Sequence, residues 1–329
     1  MPDNLTLMDV SALAEKEVDK TIYKGFFEGM LPTPIDSIPI KNRKGFTYKT
    51  LRLTRTGRPT TRKIGGAAGN YKAGFGDESE TISVIQDKIT FDVELPEASD
   101  YITDPFDIQL IQWGDDLHRL MNELFAIGGL SGNDTEPFGI AYQLKRNAKF
   151  AGQGVDAGGL DIDASDDNRH AWLDFINEAR RRCAGGAVDI MGMNAQTYLK
   201  FESALRRLRL LDTTKDQFGR DIRTYMGAKF MDWGMKPENA LGAESTGQII
   251  GDDTQTSIFG DANTTPIYFI HTGGDVQGAK IAQVHGLKTK NLGQNTADPS
   301  EIVYDARSTQ GNHFPVRYTI SSVEGLTVS

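Results

Sequence analysis

Cysteine is nearly absent from this chain of 329 residues, since Cys183 is its only one. A single thiol cannot form a disulfide within the chain, which is typical of proteins that fold in a reducing compartment. Long hydrophobic runs are also missing, because no stretch approaches the roughly 18 apolar residues of a membrane-spanning helix. The first residues, "MPDNLTLMDVSALAEKEVDK", lack the basic start and apolar core of a signal peptide. The sequence therefore predicts a soluble product made in the cytosol, with no membrane partner.

Recognisable catalytic and ligand-binding patterns are missing as well. The five histidines are scattered without metal-ligand spacing, and no GxSxG motif occurs. The segment "GGAAGNYKAGFG" has the glycines of a phosphate loop but not its GK[ST] ending. Residues 161–168, "DIDASDDN", differ from a calcium loop because Asp166 stands where the loop needs glycine. We therefore expect no enzymatic activity, no catalytic residue, no cofactor and no metal.

Charge is distributed unevenly along the chain. The chain has 45 acidic and 36 basic residues, a formal net charge of −9. Residues 41–76 nevertheless hold ten Lys and Arg and no acid, whereas residues 77–107 hold ten acids and one base, Lys88. The candidate contact residues are Arg52, Arg55, Arg58, Arg62, Lys63 and Lys72 in the basic block, and Glu78, Glu80, Asp87, Asp92 and Glu94 in the acidic block.

The basic block has three interpretations. With Phe46, Tyr48 and Tyr71 interleaved, it fits a nucleic-acid-binding patch. An adjacent acidic block would repel phosphate, however, so the pattern favours pairing between neighbouring copies of the chain. A solvated charged hairpin without a partner is the third interpretation.

Hydrophobic periodicity predicts the elements of the N-terminal half. Residues 5–29 repeat apolar positions at helical spacing, and the prolines of "LPTPIDSIP" end that helix. Residues 40–95 read as one long hairpin with a tip of roughly 25 residues, and such long loops tend to be functional. A long helix follows, with Asp104 as its cap, Pro105 in its first turn and Gly128-Gly129 at its end.

The C-terminal half mixes helices and strands. "SDDNRHAWLDFINEARRR" reads as a helix with acids at its start and arginines at its end, and Asn194 caps a second helix. Short apolar strands such as "AKFMDW" and "PIYFIH" alternate with glycine turns beyond it. Helices and strands do not alternate strictly, so the sequence predicts the α+β class.

The order of these parts resembles the major capsid proteins of tailed bacteriophages, which have the Hong Kong 97-like fold. "ETISVIQDKITFDVELPEASDYITDPFDIQLIQWGDDLHRLMNELFAIGGLSGNDTEPFGI" is similar to the family's hairpin return, spine helix and following turn. The turn positions correspond here to Gly128, Gly132, Pro137 and Gly139. "VDIMGMNAQTYLKFESAL" resembles the strand, Asn cap and helix of the axial domain, and "IYFIHTGGDVQGAKIAQVHGLKTKN" its later strands.

The resemblance implies four parts. Residues 1–33 would be an N-terminal arm and 34–98 an extended-loop hairpin that reaches over a neighbouring subunit. Residues 99–165 would form the peripheral domain with the spine helix, completed by 286–329, and 166–285 the axial domain.

The same resemblance implies a function and partners. The chain would self-assemble into hexamers and pentamers of an icosahedral phage head that encloses double-stranded DNA without sequence-specific binding. Assembly would take place in the bacterial host cytoplasm, with a separate scaffolding protein and a portal. Some relatives crosslink a loop lysine to an asparagine, roles in which Lys63 or Lys72 could pair with Asn291 or Asn295. An encapsulin-type compartment shell, which shares the fold, stays an alternative, as does a nucleic-acid-binding protein.

Overall fold

The computed structural model describes residues 32–55, 61–64, 67, 74–92, 105–132, 135–215, 221–236, 248–250, 264–273, 277–298 and 300–327. Within these ranges the α-helices are α1 (Pro105–Ile127), α2 (Ile140–Arg146), α3 (Asp166–Arg182) and α4 (Ala195–Arg207). The strands are β1 (Ile40–Asn42), β2 (Thr47–Arg55), β3 (Gly74–Thr81), β4 (Ser83–Asp92), β5 (Gly154–Asp161), β6 (Ile190–Met193), β7 (Asp212–Lys215), β8 (Asp221–Tyr225), β9 (Ala228–Asp232), β10 (Thr265–Ile270), β11 (Lys280–Gln283), β12 (Lys288–Gln294), β13 (Glu301–His313) and β14 (Ile320–Thr327). This mixture confirms the predicted α+β class.

The strands form three sheets. The largest has seven strands in the order β5-β14-β10-β6-β9-β8-β7. A five-stranded sheet has the order β1-β11-β13-β12, with β4 paired to β13 as well. Strands β2 and β3 form a separate antiparallel pair, which we call the ribbon. The long strand β13 organises the five-stranded sheet, because β4, β11 and β12 all pair with it.

Helix α1 is the predicted spine helix and has the predicted bounds. Proline suits its first turn because that position needs no backbone N–H donor, and the chain leaves the helix at Gly128. Its 23 residues at 1.5 Å each give a length of about 34 Å. Its buried side chains include Leu117, Met121 and Phe125, which are at most 3% exposed.

Helices cover both faces of the seven-stranded sheet. Successive side chains of a strand point to opposite faces, and β10 shows the consequence. Ile267 and Phe269 belong to the apolar core formed with α3 and α4, whereas Tyr268 and Ile270 belong to the core formed with α1 and α2. The central sheet is therefore buried between two helical layers, which fixes the spine helix on one side and α4 on the other.

The predicted single hairpin over residues 40–95 is wrong in its returning half. β2 pairs with β3 from Thr47↔Thr81 to Arg55↔Gly74. At Ile82 the chain leaves the ribbon, and β4 pairs along its whole length with β13, from Ser83↔Gln310 to Asp92↔Glu301. The physical reason is burial, because Ile85 and Ile89 pack into the core that contains α1. Alternation in the sequence shows a half-buried strand but does not identify its partner.

The sheets cross the predicted domain boundaries at 165/166 and 285/286. β5 and β14 lie in the same sheet as β6, β8, β9 and β10, although they fall in the segments assigned to the peripheral domain. The domain division itself stays a prediction. The helix predicted for residues 5–29 and the cap predicted at Asp104 lie outside the described residues. None of the helices that the structure describes is long and apolar enough to cross a membrane.

Candidate assembly interface

The ribbon is anchored to the body at Tyr48, which is 5% exposed. The Tyr48 hydroxyl lies 2.9 Å from the carbonyl oxygen of Asn312 and also contacts the Glu80 carboxylate, so two acceptors share one proton. The Tyr48 ring meets the ring of His313 edge to face at 5.7 Å between centroids. A buried tyrosine needs a hydrogen-bond partner for its hydroxyl, and these contacts meet that need. They hold the base of the ribbon in one orientation.

Asn312 joins the ribbon base to the end of the spine helix. Its backbone carbonyl accepts from Tyr48, while its side-chain amide donates to the carbonyl of Leu124 at 2.8 Å. Leu124 lies in the last turn of α1, and its carbonyl also accepts from the Gly128 N–H at 3.2 Å. A displacement of the ribbon base is thereby coupled to the spine helix through one residue.

Cationic side chains surround the ribbon base. His313 lies opposite Lys280 in the β11–β13 register, and the Lys149 ammonium contacts the carbonyl of Phe314. Burial and, after it, the positive charges of nearby side chains together lower the pKa of His313 to about 3. The charged side chains are Arg43, Lys149, Lys280 and Lys41. The imidazole is therefore neutral at pH 7.

The basic block lies on the ribbon and toward its tip. Arg52 and Arg55 are positions of β2, and Arg62 and Lys63 are exposed near the tip. Arg58 and Lys72 lie outside the described residues. In the β2–β3 register Arg52 pairs with Gly76 and Arg55 with Gly74, whereas Asp77 and Glu78 pair with Leu51 and Thr50. Part of the acidic block therefore lies on the strand next to the basic one within the same subunit, although no arginine of β2 pairs directly with an acid.

The acidic block is divided between the ribbon and the body. Glu78 and Glu80 belong to β3, whereas Asp87 and Asp92 belong to β4 in the five-stranded sheet. The Asp87 carboxylate accepts a hydrogen bond of 3.2 Å from the indole N–H of Trp113 on α1. Glu94 lies outside the described residues. The acids do not form one continuous strand face, and their contacts with a neighbour stay a prediction.

The turn after the spine helix brings Gly128, Pro137 and Gly139 together and leaves Gly132 at an exposed tip. The N–H of Gly139 donates to the carbonyl of Gly128 at 2.8 Å, which closes the loop. A Cβ added to Gly139 would lie 2.6 Å from the Gly128 nitrogen and 2.9 Å from the Ile127 nitrogen. Real Cβ atoms do not approach backbone atoms that closely. The contact between the chain at position 139 and the end of α1 therefore requires glycine at 139.

A buried polar contact that sequence reasoning missed fixes the segment before β1. The His118 Nε2 atom lies 2.9 Å from Oδ1 of Asp36, and Oδ2 of Asp36 accepts from the Thr33 N–H at 3.0 Å. His118 is 1% exposed, so the contact is excluded from water. Its position beside Leu117 in the buried stripe of α1 was the available signal. Nothing in the sequence indicated that Asp36, 82 positions away, is its partner.

The predicted crosslinking asparagines lie at or just after β12, an edge strand of the five-stranded sheet. The Asn291 amide donates to the Tyr304 hydroxyl at 3.3 Å, and the Asn295 amide donates to the Glu301 carboxylate at 2.7 Å. Both amides are thus engaged within the chain, and a bond to Lys63 or Lys72 of another copy stays a prediction.

The described residues contain neither a metal-ligand cluster nor a reactive thiol. They contain no group of three or more His, Cys, Asp or Glu side chains that could hold a metal ion. Burial raises the pKa of the Cys183 thiol to about 12, so the thiol is protonated near neutral pH and is a poor nucleophile.

Comparison with known proteins identifies the architecture. No family model and no curated protein matches the sequence. The holo-SrpI encapsulin complex from Synechococcus elongatus matches with a TM-score of 0.60 at 12% identity, over 99% of this chain and 97% of that chain. The capsid of the native GTA particle matches at 0.58 and 17% identity, over 91% and 92%. The capsid of Myoviridae phage XM1 matches at 0.55 and 12%, over 88% and 90%. The chain has the Hong Kong 97-like fold of phage major capsid proteins.

At these identities the likeness concerns the fold. The resemblance drawn from the order of the sequence elements is confirmed at that level. The assignment of the ribbon to the extended loop and of α1 to the spine helix stays a prediction.

Proposed function

We propose that this chain is a major capsid protein that assembles into hexamers and pentamers of a closed phage head. The observation that carries the proposal is the capsid fold along the chain, since the matches to the GTA and XM1 capsids cover 91% and 88% of it.

The ribbon is the element that we assign to contacts between subunits. It pairs with no other strand among the described residues, yet its base is fixed by Tyr48. Phe46 is exposed beside that base and Ile64 is fully exposed near the tip. Exposed apolar and basic side chains on an anchored arm suit an acidic surface on another copy. The ten basic residues of 41–76 thereby acquire a role in an acidic protein.

The negative net charge supports a shell that encloses DNA without binding it tightly. With a net charge of −9, a wall of many copies repels packaged double-stranded DNA on average, which favours release over tight binding. We assign the chain to the virion, assembled in the bacterial host cytoplasm with a separate scaffolding protein and a portal. We keep the ranges assigned above to the N-terminal arm, the extended loop, the peripheral domain and the axial domain. β5 and β14, although assigned to the peripheral domain, lie in the same sheet as the strands of the axial domain.

An encapsulin-type compartment shell is the second candidate. The SrpI encapsulin match, with a TM-score of 0.60 over 99% of this chain, favours it as much as the capsid matches favour a phage head. The two kinds of shell differ in what they enclose: a compartment encloses cargo protein, and a phage head encloses a genome. Genes for a scaffolding protein, portal and terminase beside this one would support the phage head.

Sedimentation of the purified chain tests shell formation. A shell protein should sediment as capsomers or closed particles far above the 36.2 kDa of one chain, alone or with its scaffolding protein. A monomer under every condition would contradict the proposal. Binding of the monomer to short duplex DNA, with an affinity that falls steeply as salt rises, would instead support the nucleic-acid-binding alternative.

A further inference from the structure

A small apolar groove lies between α4 and strands β8 and β9. Its lining includes Tyr198 and Leu199 of α4, Ile222 of β8, and Phe230 and Met231 of β9. The cavity volume is about 240 Å³, below the roughly 300–1,000 Å³ of pockets that take drug-sized ligands. The groove is therefore suited to a few apolar side chains and not to a nucleotide or a large cofactor.

Chain connectivity indicates what those side chains are. Pro32, the first residue that the structure describes, is itself part of the groove lining. The residues directly before it in the sequence are strongly apolar: Phe26, Phe27, Met30 and Leu31. Six residues span at most about 20 Å when extended, so all four side chains lie within reach of the groove.

Charge at the groove agrees with the residues that directly precede this occupant. The carboxylates of Asp221 and Asp232 line the groove together with one guanidinium, that of Arg223. Arg223 is engaged by Glu202, with 3.3 Å between Nε and Oε1, which leaves the carboxylates in excess. Lys20 and Lys24 precede the apolar segment, whose own single charge is that of Glu28. The complementarity therefore concerns the two lysines, and the apolar side chains carry the fit to the groove.

We propose that residues 26–31 dock into this groove of their own chain, with the phenylalanines, Met30 or Leu31 filling it. The covalent connection at Pro32 favours the same chain, because a short tether gives the segment an effective concentration of about millimolar or more. The end of the N-terminal arm would thereby be held against α4 and strands β8 and β9. The inference goes beyond shell assembly and does not depend on it.

Site-specific photocrosslinking tests the proposal on the full-length protein. A benzoylphenylalanine probe replaces Leu199, which is 64% exposed at the groove, and a control probe replaces Leu210, which is 44% exposed and does not line it. After irradiation and trypsin digestion, the Leu199 probe should label residues 26–31 within the peptide 25–41. Mixing isotopically heavy and light protein before irradiation separates crosslinks within one chain from those between copies.

The expected result is labelling within one chain from position 199 and background labelling from position 210. In the double variant Phe26→Ser/Phe27→Ser, loss of buried aromatic surface should lower the crosslink yield about tenfold. A reciprocal probe at Phe27 should label residues 195–199, which guards against disturbance of the groove by the first probe. The proposal is overturned by crosslinks between copies, by labelling of another segment, by equal yields from 199 and 210, or by an unchanged yield in the serine variant.

Discussion

Replacing Gly139 by alanine should destabilise the turn that follows the spine helix. Gly139 has φ −79° and ψ 178°, a conformation open to any residue, so backbone strain does not explain the glycine. The added Cβ would lie 2.6 Å from the Gly128 nitrogen and 2.9 Å from the Ile127 nitrogen. Relieving such overpacking costs about 1–3 kcal/mol, and weakening the 2.8 Å Gly139–Gly128 hydrogen bond adds about 0.5–1.5 kcal/mol. We expect a loss of about 2–4 kcal/mol in the free energy of unfolding.

The matched control is Gly132→Ala in the same turn. Gly132 has φ +84° and nothing within 4 Å of an added Cβ, so its variant tests backbone conformation alone. That cost should be about 1 kcal/mol. Thermal unfolding of unassembled protein measures both, with a fall in Tm of about 2 °C per kcal/mol at this size. This prediction is contradicted if Gly139→Ala has the Tm of the wild type, or if Gly132→Ala has a lower Tm than Gly139→Ala. In either case the close approach of residue 139 to the backbone of Ile127 and Gly128 would not be the reason for glycine at this position.

Three further predictions concern the ribbon. The first is reversal to glutamate of five basic residues: Arg52, Arg55, Arg58, Arg62 and Lys63. The variant should stay folded by circular dichroism but form few particles in sedimentation, because exposed ion pairs worth about 0–1 kcal/mol each are lost at every repeated contact of a shell. A normal particle yield would refute this prediction. Compensating lysines are placed at Glu78 and Glu94, because Glu80 and Asp87 have partners in their own chain. Tyr48→Phe should cost about 1–3 kcal/mol and speed amide exchange in residues 47–55 and 74–81, and unchanged exchange would show that the hydroxyl does not anchor the ribbon. His313 has a folded-state pKa of about 3, below the ordinary histidine pKa of 6.5, so between these values the unfolded chain binds a proton that the folded chain does not. Stability therefore falls as pH drops from about 6.5 toward 3, by up to about 1.4 kcal/mol per pH unit. His313→Gln should reduce the fall in Tm between pH 6.5 and 4.5, and an equal fall in both proteins would contradict the assignment.

Elements defined by local chemistry were predictable from the sequence. The spine helix has the predicted bounds because a proline in its first turn and a glycine pair at its end are local signals. Asn194 caps α4 as predicted, with its side-chain oxygen accepting from the Thr197 N–H at 2.7 Å. Helix α3 likewise begins with Asp166 and ends with its arginines.

Elements defined by distant partners were not predictable. β5, "GVDAGGLD", reads as a loop because glycine and aspartate are poor strand formers, yet it pairs in parallel with β14 across more than 150 residues. The apolar alternation of "PVRYTI" predicts a short strand, whereas residues 317–319 form a 3-10 turn and β14 begins at Ile320. The anchors of the candidate site, Tyr48 with Asn312 and Asp36 with His118, are likewise pairs far apart in sequence. Composition around each residue carries no information about such partners.

Cryo-electron microscopy of particles formed by the purified protein, alone or with its scaffolding protein, tests the central claim most directly. The account predicts closed shells of hexamers and pentamers in which the ribbon, residues 47–55 and 74–81, lies on a neighbouring subunit. Protein that stays monomeric, or shells in which the ribbon contacts only its own subunit, would contradict it.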